Sequence, residues 1–244
     1  MYATALAVDG RPPRILLHVC PLALAPPQTS ALDHVATIVS AVLNPLLLPP
    51  VLFGILATYA GAALSEVLMV IGLSIGFFAV IPGAYVVWEL RRGSVNSLDI
   101  RDRTRRRRPL LVTVASYLCG AAMVSVLPVP GRILLSWLMV CYAFNTVLTV
   151  LVTRHWKISI HALAIAGIPS VLVFMGYGLA GPTSFPGLHL LLSLSVACIP
   201  LVAWARVRMR HHTPRQVIAG TLGGLTFPLF ELWLLQAAGL LVFP

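Results

Sequence analysis

Long apolar runs alternate with short polar segments along this chain, and the runs lack the strict alternation that is typical of β-strands. Each run is long enough to cross a bilayer as a helix, because about 20 apolar residues span the hydrocarbon core. The pattern predicts about seven helices, or one more or fewer where segments merge or re-enter. Their expected limits are 34–63, 66–89, 110–127, 133–153, a fifth opening within 154–161 and ending near 180, 187–205 and 214–242.

The N-terminal region differs from the rest of the chain. Residues 1–30 are rich in proline and alanine, and the apolar run 15–25 follows Arg11 and Arg14 as the core of a signal peptide would. Pro21 and Pro26 interrupt that pattern, which favours an unstructured or surface-lying tail. Residues 31–244 then form one transmembrane domain, and Asn44-Pro45 and Pro49-Pro50 should kink its first helix.

Composition favours a membrane protein over a soluble one. The 244 residues are 59% hydrophobic and only 10% charged, which is too little charge to cover a soluble domain of this size. The expected fold class is therefore an all-α, polytopic bundle of about six to seven spans. The four cysteines show no metal-ligand spacing and are expected to pack as small apolar residues (Cys20, Cys119, Cys141 and Cys198).

Most of the positive charge lies in three basic segments, at 91–109, 154–161 and 206–216. Two predicted spans separate each segment from the next, so all three should share one membrane face. Of the 17 lysines and arginines, only Arg132 is expected on the other face. The positive-inside rule therefore predicts that the basic face is cytoplasmic. The formal net charge of +10 then reflects loops that face anionic lipid headgroups, and nucleic acid is not an expected partner.

The third basic segment has the features of an anion site. Thr213-Pro214 supplies a cap and a first-turn proline, so a helix should begin there. A helix start offers free N–H groups and partial positive charge to a phosphate, and the forked guanidinium of Arg206 would add to both. The alternative interpretation is a basic loop that only sets membrane topology.

Taken in order, the three segments carry a recurring pattern. The first contains Arg101, six residues, and Arg108-Pro109. The second contains Ser159 and His161. The third contains Arg206, five residues, His212, three residues, and Gln216. These resemble the three motifs of the type 2 phosphatidic acid phosphatase superfamily, which are Lys-x6-Arg-Pro, Pro-Ser-Gly-His and Ser-Arg-x5-His-x3-Asp. The resemblance covers about residues 95–220.

The resemblance implies a fold core like that of this superfamily and a metal-free hydrolysis of phosphate esters. It implies that His212 is the nucleophile, which forms a phosphohistidine, and that His161 protonates the leaving group and then activates water. The remaining implied ligands of the phosphate are Arg101, Arg108, Arg206 and Ser159. Lys157 is a further candidate, although the motif does not require it. The expected substrate is a polyprenyl or phosphatidate-type lipid phosphate or diphosphate in the bilayer.

Gln216 departs from the superfamily pattern, which has an aspartate there. A Gln carbonyl can accept the Nδ1–H bond of a histidine but brings no negative charge. Gln216 could orient its oxygen correctly, Asp99 or Asp102 could replace the carboxylate through space, or the protein could have lost efficient catalysis. The last possibility gives a lipid-phosphate-binding membrane protein as one alternative function.

Two other features remain open at this point. Asn96, Asp99 and Asp102 have a spacing faintly similar to the first Asp-rich motif of intramembrane aromatic prenyltransferases, which would require Mg²⁺. Glu231 falls within the last predicted span, where an ionisable residue is a functional candidate. It could equally lie near the far interface.

Overall fold

The computed structural model describes residues 30–95, 104–178 and 187–241, and these residues form helices and no β-strand. We number the helices in chain order as α1 Ala31–Val42, α2 Leu48–Tyr59, α3 Leu64–Arg91, α4 Arg107–Ser125, α5 Arg132–Thr153, α6 Ile160–Gly178, α7 Leu188–Arg208 and α8 Pro214–Ala237. Apart from Ser30, the tail predicted at 1–30 lies outside the described residues.

Six of these helices, α3 to α8, are long and apolar enough to cross a membrane. They run from 19 to 28 residues, and about 20 residues suffice to span the hydrocarbon core. The chain is therefore an integral membrane protein by the length and composition of its helices, and the prediction of an all-helical membrane bundle is confirmed to that extent. The last span ends at Ala237, five residues before its predicted limit.

The single helix predicted at 34–63 is wrong, because two helices of 12 residues each occupy this region. Between them, Asn44 Oδ1 accepts the backbone N–H of Leu46 at 2.9 Å, which is a side-chain turn that competes with helix formation. Pro49 and Pro50 lie in the first turn of α2, where their missing N–H groups break no helical bond. The sequence thus predicted a kink, and the structure has a break.

The two short helices nevertheless traverse the bundle together. At the start of α1, Arg208 Nε donates to Asp33 Oδ1 at 2.8 Å. At the end of α2, Ala60 lies against the turn at Gly131, close enough that a Cβ added to that glycine would be 2.6 Å from the Cβ of Ala60. Arg208 ends α7 and Gly131 precedes α5, so these two contacts are at opposite ends of the bundle.

The described parts of the three basic segments meet at one end, which we call the basic end. Helices α4 and α5 separate the first segment from the second, and α6 and α7 separate the second from the third. Lys157 Nζ donates to the carbonyl oxygen of His211 at 2.9 Å, and the Ser159 N–H donates to the carbonyl of Gln216 at 3.2 Å. The second and third segments are therefore in direct contact.

Helices α6 and α8 touch backbone to backbone because α8 carries glycines one turn apart. A Cβ at Gly220 would collide with the carbonyl oxygen of Ser159. One at Gly224 would collide with the carbonyl of Leu163 and lie 3.0 Å from the amide nitrogen of Gly167. Small residues at this spacing allow the close helix approach that van der Waals packing in a bilayer requires.

A buried hydroxyl strengthens the same contact. Ser170 Oγ, on α6, lies 2.7 Å from the carbonyl oxygen of Leu225 and 3.0 Å from that of Gly224. Pro228 removes one backbone donor from α8, so its carbonyl at 224 has no partner four residues on, and a side-chain hydroxyl can take that role.

The other half of the bundle packs around aromatic rings. Phe78 of α3 lies 5.3 Å from Phe53 of α2, 4.4 Å from Tyr117 of α4 and 5.0 Å from Tyr142 of α5, between ring centroids. The contact with Tyr142 is edge-to-face, a favoured geometry. These contacts join four helices, and the rings belong to the same buried core as Leu172 of α6 and Leu232 of α8.

We expect Gly224→Ala to destabilise the protein. Alanine favours a helix over glycine by about 1 kcal/mol, but overpacking a fixed backbone contact costs about 1–3 kcal/mol, so the net change should lower the thermal midpoint in detergent. Gly223→Ala is the matched control, because its Cβ would meet only the Phe227 ring at 3.3 Å and the Leu163 side chain. Equal midpoints for the two variants would contradict the backbone contact.

Candidate functional site

His212 lies in the five-residue connection between α7 and α8 and is only 6% exposed. Arg210 adopts a left-handed conformation with φ of 55°, which reverses the chain tightly. The backbone N–H of His211 and that of His212 both donate to the carbonyl of Arg206, at 3.2 and 3.4 Å. The turn thereby fixes His212 beneath the end of α7.

The ring of His212 is oriented by Gln216. Thr213 and Gln216 form a capping box at the start of α8, in which Gln216 Oε1 accepts the Thr213 N–H at 3.2 Å. Because a backbone N–H can only donate, the side-chain atom at this position must be the amide oxygen. The same oxygen lies 3.2 Å from His212 Nδ1, so Nδ1 carries the proton and Nε2 keeps its lone pair.

Positive charges surround this histidine. The pKa of His212 is lowered from its ordinary value of 6.5 to about 3, chiefly by burial and then by the charges of Lys157, Arg206 and Arg106 in that order of size. The hydrogen bond that Gln216 Oε1 accepts from His212 Nδ1 raises the pKa and is the smallest of these effects. His212 is therefore a neutral imidazole at physiological pH, held among three cations.

Two of the cations are buried and held in place. Arg206 is 2% exposed, and its Nη1 donates to Ser40 Oγ of α1 at 2.9 Å. Arg106 is 7% exposed and lies in the turn that leads into α4. Both guanidinium groups are positively charged and act on His212, so an anion bound here would be attracted by two buried cations.

Two helix starts add to the positive potential. Ser159 is fully buried and caps α6, its Oγ accepting the N–H of Ala162 at 3.3 Å. Its own N–H donates to the Gln216 carbonyl at the start of α8, so the first turns of α6 and α8 lie side by side. Each helix start contributes a partial positive charge. His161, half-buried, lies in the first turn of α6.

The structure brings together most of the residues proposed from sequence, with two exceptions. Arg108 is exposed, and its charge is felt by Tyr85 of α3. It is not one of the charges that lower the pKa of His212. Arg101, like Asp99 and Asp102, lies outside the described residues. Those that share the site are Lys157, Ser159, Arg206, His212 and Gln216, and His161 lies two residues after Ser159 in α6.

Sequence reasoning missed Arg106 and Ser40. Arg106 belongs to a run of four arginines, 105–108, and only the direction in which the turn enters α4 decides which of them is buried. Ser40 has no sequence signal, because it belongs to an ordinary apolar helix. Its contact with Arg206 depends on how α1 packs against α7.

An apolar groove opens beside this site between the end of α7 and the start of α8. Its volume is about 420 Å³, and Arg208 at its rim is the only charged residue among those that line it (Ala203, Trp204, Val207, Arg208, Pro214, Val217 and Ile218). Val217 directly follows Gln216 in the chain, so the groove adjoins the cationic cluster. A molecule with a polar head and an apolar tail would match the two together.

We expect the imidazole of His212 to stay neutral from pH 8 down to pH 5. The unfolded chain binds this proton near pH 6.5, but the folded protein binds it only near pH 3, so stability should fall as the pH falls through that window. Histidine-labelled protein in micelles, with His212→Gln to assign the resonance, measures the titration by NMR. Inorganic phosphate should raise the pKa, because its charge offsets the three cations. A normal midpoint near 6.5 without phosphate would contradict the buried cationic site.

No family model matches the chain, and neither a curated protein nor a solved structure matches it significantly. The function has to be inferred from the site itself. What the site offers is a neutral, oriented imidazole with a free Nε2, three cations and two helix starts at the membrane boundary. This set of groups suits the binding of a phosphate and attack on its phosphorus atom.

Proposed function

We propose that this protein is an integral membrane phosphatase that hydrolyses a lipid-linked phosphate or diphosphate through a phosphohistidine intermediate. The observation that carries the proposal is the environment of His212, which is buried, neutral, oriented through Nδ1 by Gln216 and flanked by Lys157, Arg206 and Arg106. The resemblance of the three basic segments to the type 2 phosphatidic acid phosphatases supports the same reaction.

In the proposed reaction, His212 Nε2 attacks phosphorus while the bond to the leaving oxygen breaks. The three cations hold the non-bridging oxygens, whose charge they offset through the transition state. His161 protonates the leaving oxygen and so releases an alcohol or a lipid monophosphate. The same residue then takes a proton from water, which attacks phosphorus, breaks the P–N bond and restores His212.

Gln216 in place of aspartate is compatible with this chemistry. In serine hydrolases, replacing the analogous aspartate by asparagine costs about 10⁴-fold, because the histidine takes the wrong tautomer. Here the Thr213 N–H fixes the Gln216 oxygen towards Nδ1, so the tautomer is kept and only the carboxylate charge is lost. We therefore expect a slower enzyme rather than an inactive one.

The position of the site favours a lipid substrate. The cationic cluster lies where the spans end at the basic end, and an apolar groove lies beside it between the end of α7 and the start of α8. A phosphate headgroup would reach His212 while its chain lay along Trp204 and Val217. We propose a cytoplasmic orientation for this end, since it carries most of the lysines and arginines.

Purified protein should release phosphate from one or more lipids in a panel of polyprenyl and phosphatidate-type substrates, with equal rates in EDTA. His212→Ala should lose at least about 10³-fold, because the nucleophile is gone, and His161→Ala about 10²–10⁴-fold, as for a general acid. His155→Ala is the control, because His155 is an exposed neighbour in the second basic segment. Wild-type rates in both histidine variants would refute the proposal.

Arg106 and Arg108 should differ in the same assay, although they are two residues apart. Removing a preorganised donor to an oxyanion costs about 10²–10³-fold, so Arg106→Ala should fall by that factor. Arg108→Ala should fall less than tenfold, because its side chain is exposed and acts near Tyr85. A thermal midpoint for each variant separates lost catalysis from lost folding. The reverse ranking would show that Arg108 holds the phosphate.

The two alternative functions give different results in these experiments. A catalytically impaired protein would bind lipid phosphate without turnover, and Gln216→Asp would restore activity by returning the carboxylate. An aromatic prenyltransferase would need Mg²⁺ and would be inhibited by EDTA. Its proposed motif, at Asn96, Asp99 and Asp102, lies outside the described residues, and the part of the chain that the structure describes contains no cluster of metal-ligating side chains.

A further inference from the structure

Far from the basic end, α8 and α5 are joined by a polar contact inside the membrane span. Glu231 lies in the span Pro214–Ala237, and Asn145 lies in the span Arg132–Thr153. Asn145 is 7% exposed, and its Nδ2 donates to Glu231 Oε2 at 2.9 Å. The site proposed above does not use either residue.

This contact leaves two buried oxygens without a donor. Among the described residues, Asn145 Oδ1 and Glu231 Oε1 are buried and have no hydrogen-bond partner. An unsatisfied polar atom inside a membrane span is strongly destabilising, because no water replaces the missing bond. Both atoms are acceptors, and they belong to the two side chains that are already bonded to each other.

A single proton on the carboxyl group would give both oxygens a hydrogen-bonding role. A carboxylic acid and a primary amide form a cyclic pair, in which the amide N–H donates to one acid oxygen and the acid O–H donates to the amide oxygen. The bond from Nδ2 to Oε2 is one half of that pair. We propose that Glu231 holds a proton on Oε1 and donates it to Asn145 Oδ1, which makes this pair an intramembrane proton-binding site that ties α8 to α5.

The surroundings favour a proton over a metal ion or another cation as the occupant. Within the described residues, the Glu231 carboxyl interacts with the side chains of Asn145 and of Cys141, which lies one turn before Asn145 on α5. No group of three His, Cys, Asp or Glu side chains in the described part of the chain could hold a metal ion. A hard metal cation is held by about six or more oxygens, whereas this pair has two oxygens without a donor.

The proton has a consequence for helix packing. With it, the pair is neutral and satisfies its own hydrogen bonds, so it fixes α8 against α5 at low cost. Without it, a carboxylate would lie within the membrane span, where a charged side chain is strongly disfavoured. The contact between α8 and α5 therefore depends on the protonation of Glu231, whatever reaction occurs at the basic end.

Infrared difference spectra between wild type and Glu231→Gln in lipid nanodiscs test the proposal. At pH 7 the wild type should show the C=O stretch of a protonated carboxyl that the variant lacks, and the band should shift in Asn145→Ala, which removes its hydrogen-bond partners. Glu66→Gln is the matched control. Glu66 accepts the backbone N–H of Ala63 at the end of the bundle opposite the basic end, and its replacement should leave the protonated-carboxyl band of Glu231 in place.

Thermal stability gives a second readout. Glu231→Gln should keep the midpoint, because its amide can donate to Asn145 Oδ1 and accept from Nδ2. Glu231→Leu should lower it, because both polar groups of Asn145 lose their partner. A carboxylate band for Glu231 at pH 7, or a band that changes with sodium concentration, would overturn the proposal and indicate a cation site. The spectra decide the question even if the leucine variant does not fold.

Discussion

The close approach of α6 and α8 is the constraint on which the rest of the site depends. In a bilayer, the hydrophobic effect does not drive helices together, so association depends on packing and hydrogen bonds. Gly220 and Gly224 allow the two backbones to touch, and Ser170 bonds across the contact. Because the helices start at the same end of the bundle, this packing places the cap of α6 directly beside the first turn of α8. The second and third basic segments meet for that reason.

That arrangement concentrates positive charge. Because His212 stays neutral, it adds no further charge repulsion to the cluster. Lys157, Arg206 and Arg106 all disfavour the imidazolium form, as does burial. The neutral ring is also the form with a nucleophilic Nε2, so the electrostatics that would stabilise a bound phosphate also keep the nucleophile ready. Ser40 Oγ accepts a hydrogen bond from Arg206, and the carbonyl of His211 accepts one from Lys157, so both of these contacts position a cation through a neutral acceptor.

The sequence predicted the parts of this structure that local patterns determine. Span length and polarity gave the helical bundle and the shared face of the basic segments, and Thr213-Pro214 gave the start of α8. Long-range packing determines what was missed. Which arginine of a run of four is buried depends on the turn before α4, and the partners of Arg206 and Glu231 come from helices more than 80 residues away. The order of hydrophobic and polar residues along the chain does not predict those contacts.

Gln216 in place of an aspartate changes which states of the proposed reaction are stabilised. A carboxylate there would stabilise the positive charge that the His212 ring gains on phosphorylation, and it would offset part of the surrounding cationic charge. An amide oxygen fixes the tautomer but offsets no charge, so binding of the phosphate anion is favoured while the cationic phosphohistidine is stabilised less. Formation of the intermediate should then be slower, and its hydrolysis should not be retarded by a stabilised cation. In the proposed enzyme, the attack of His212 on phosphorus is therefore the step that limits turnover.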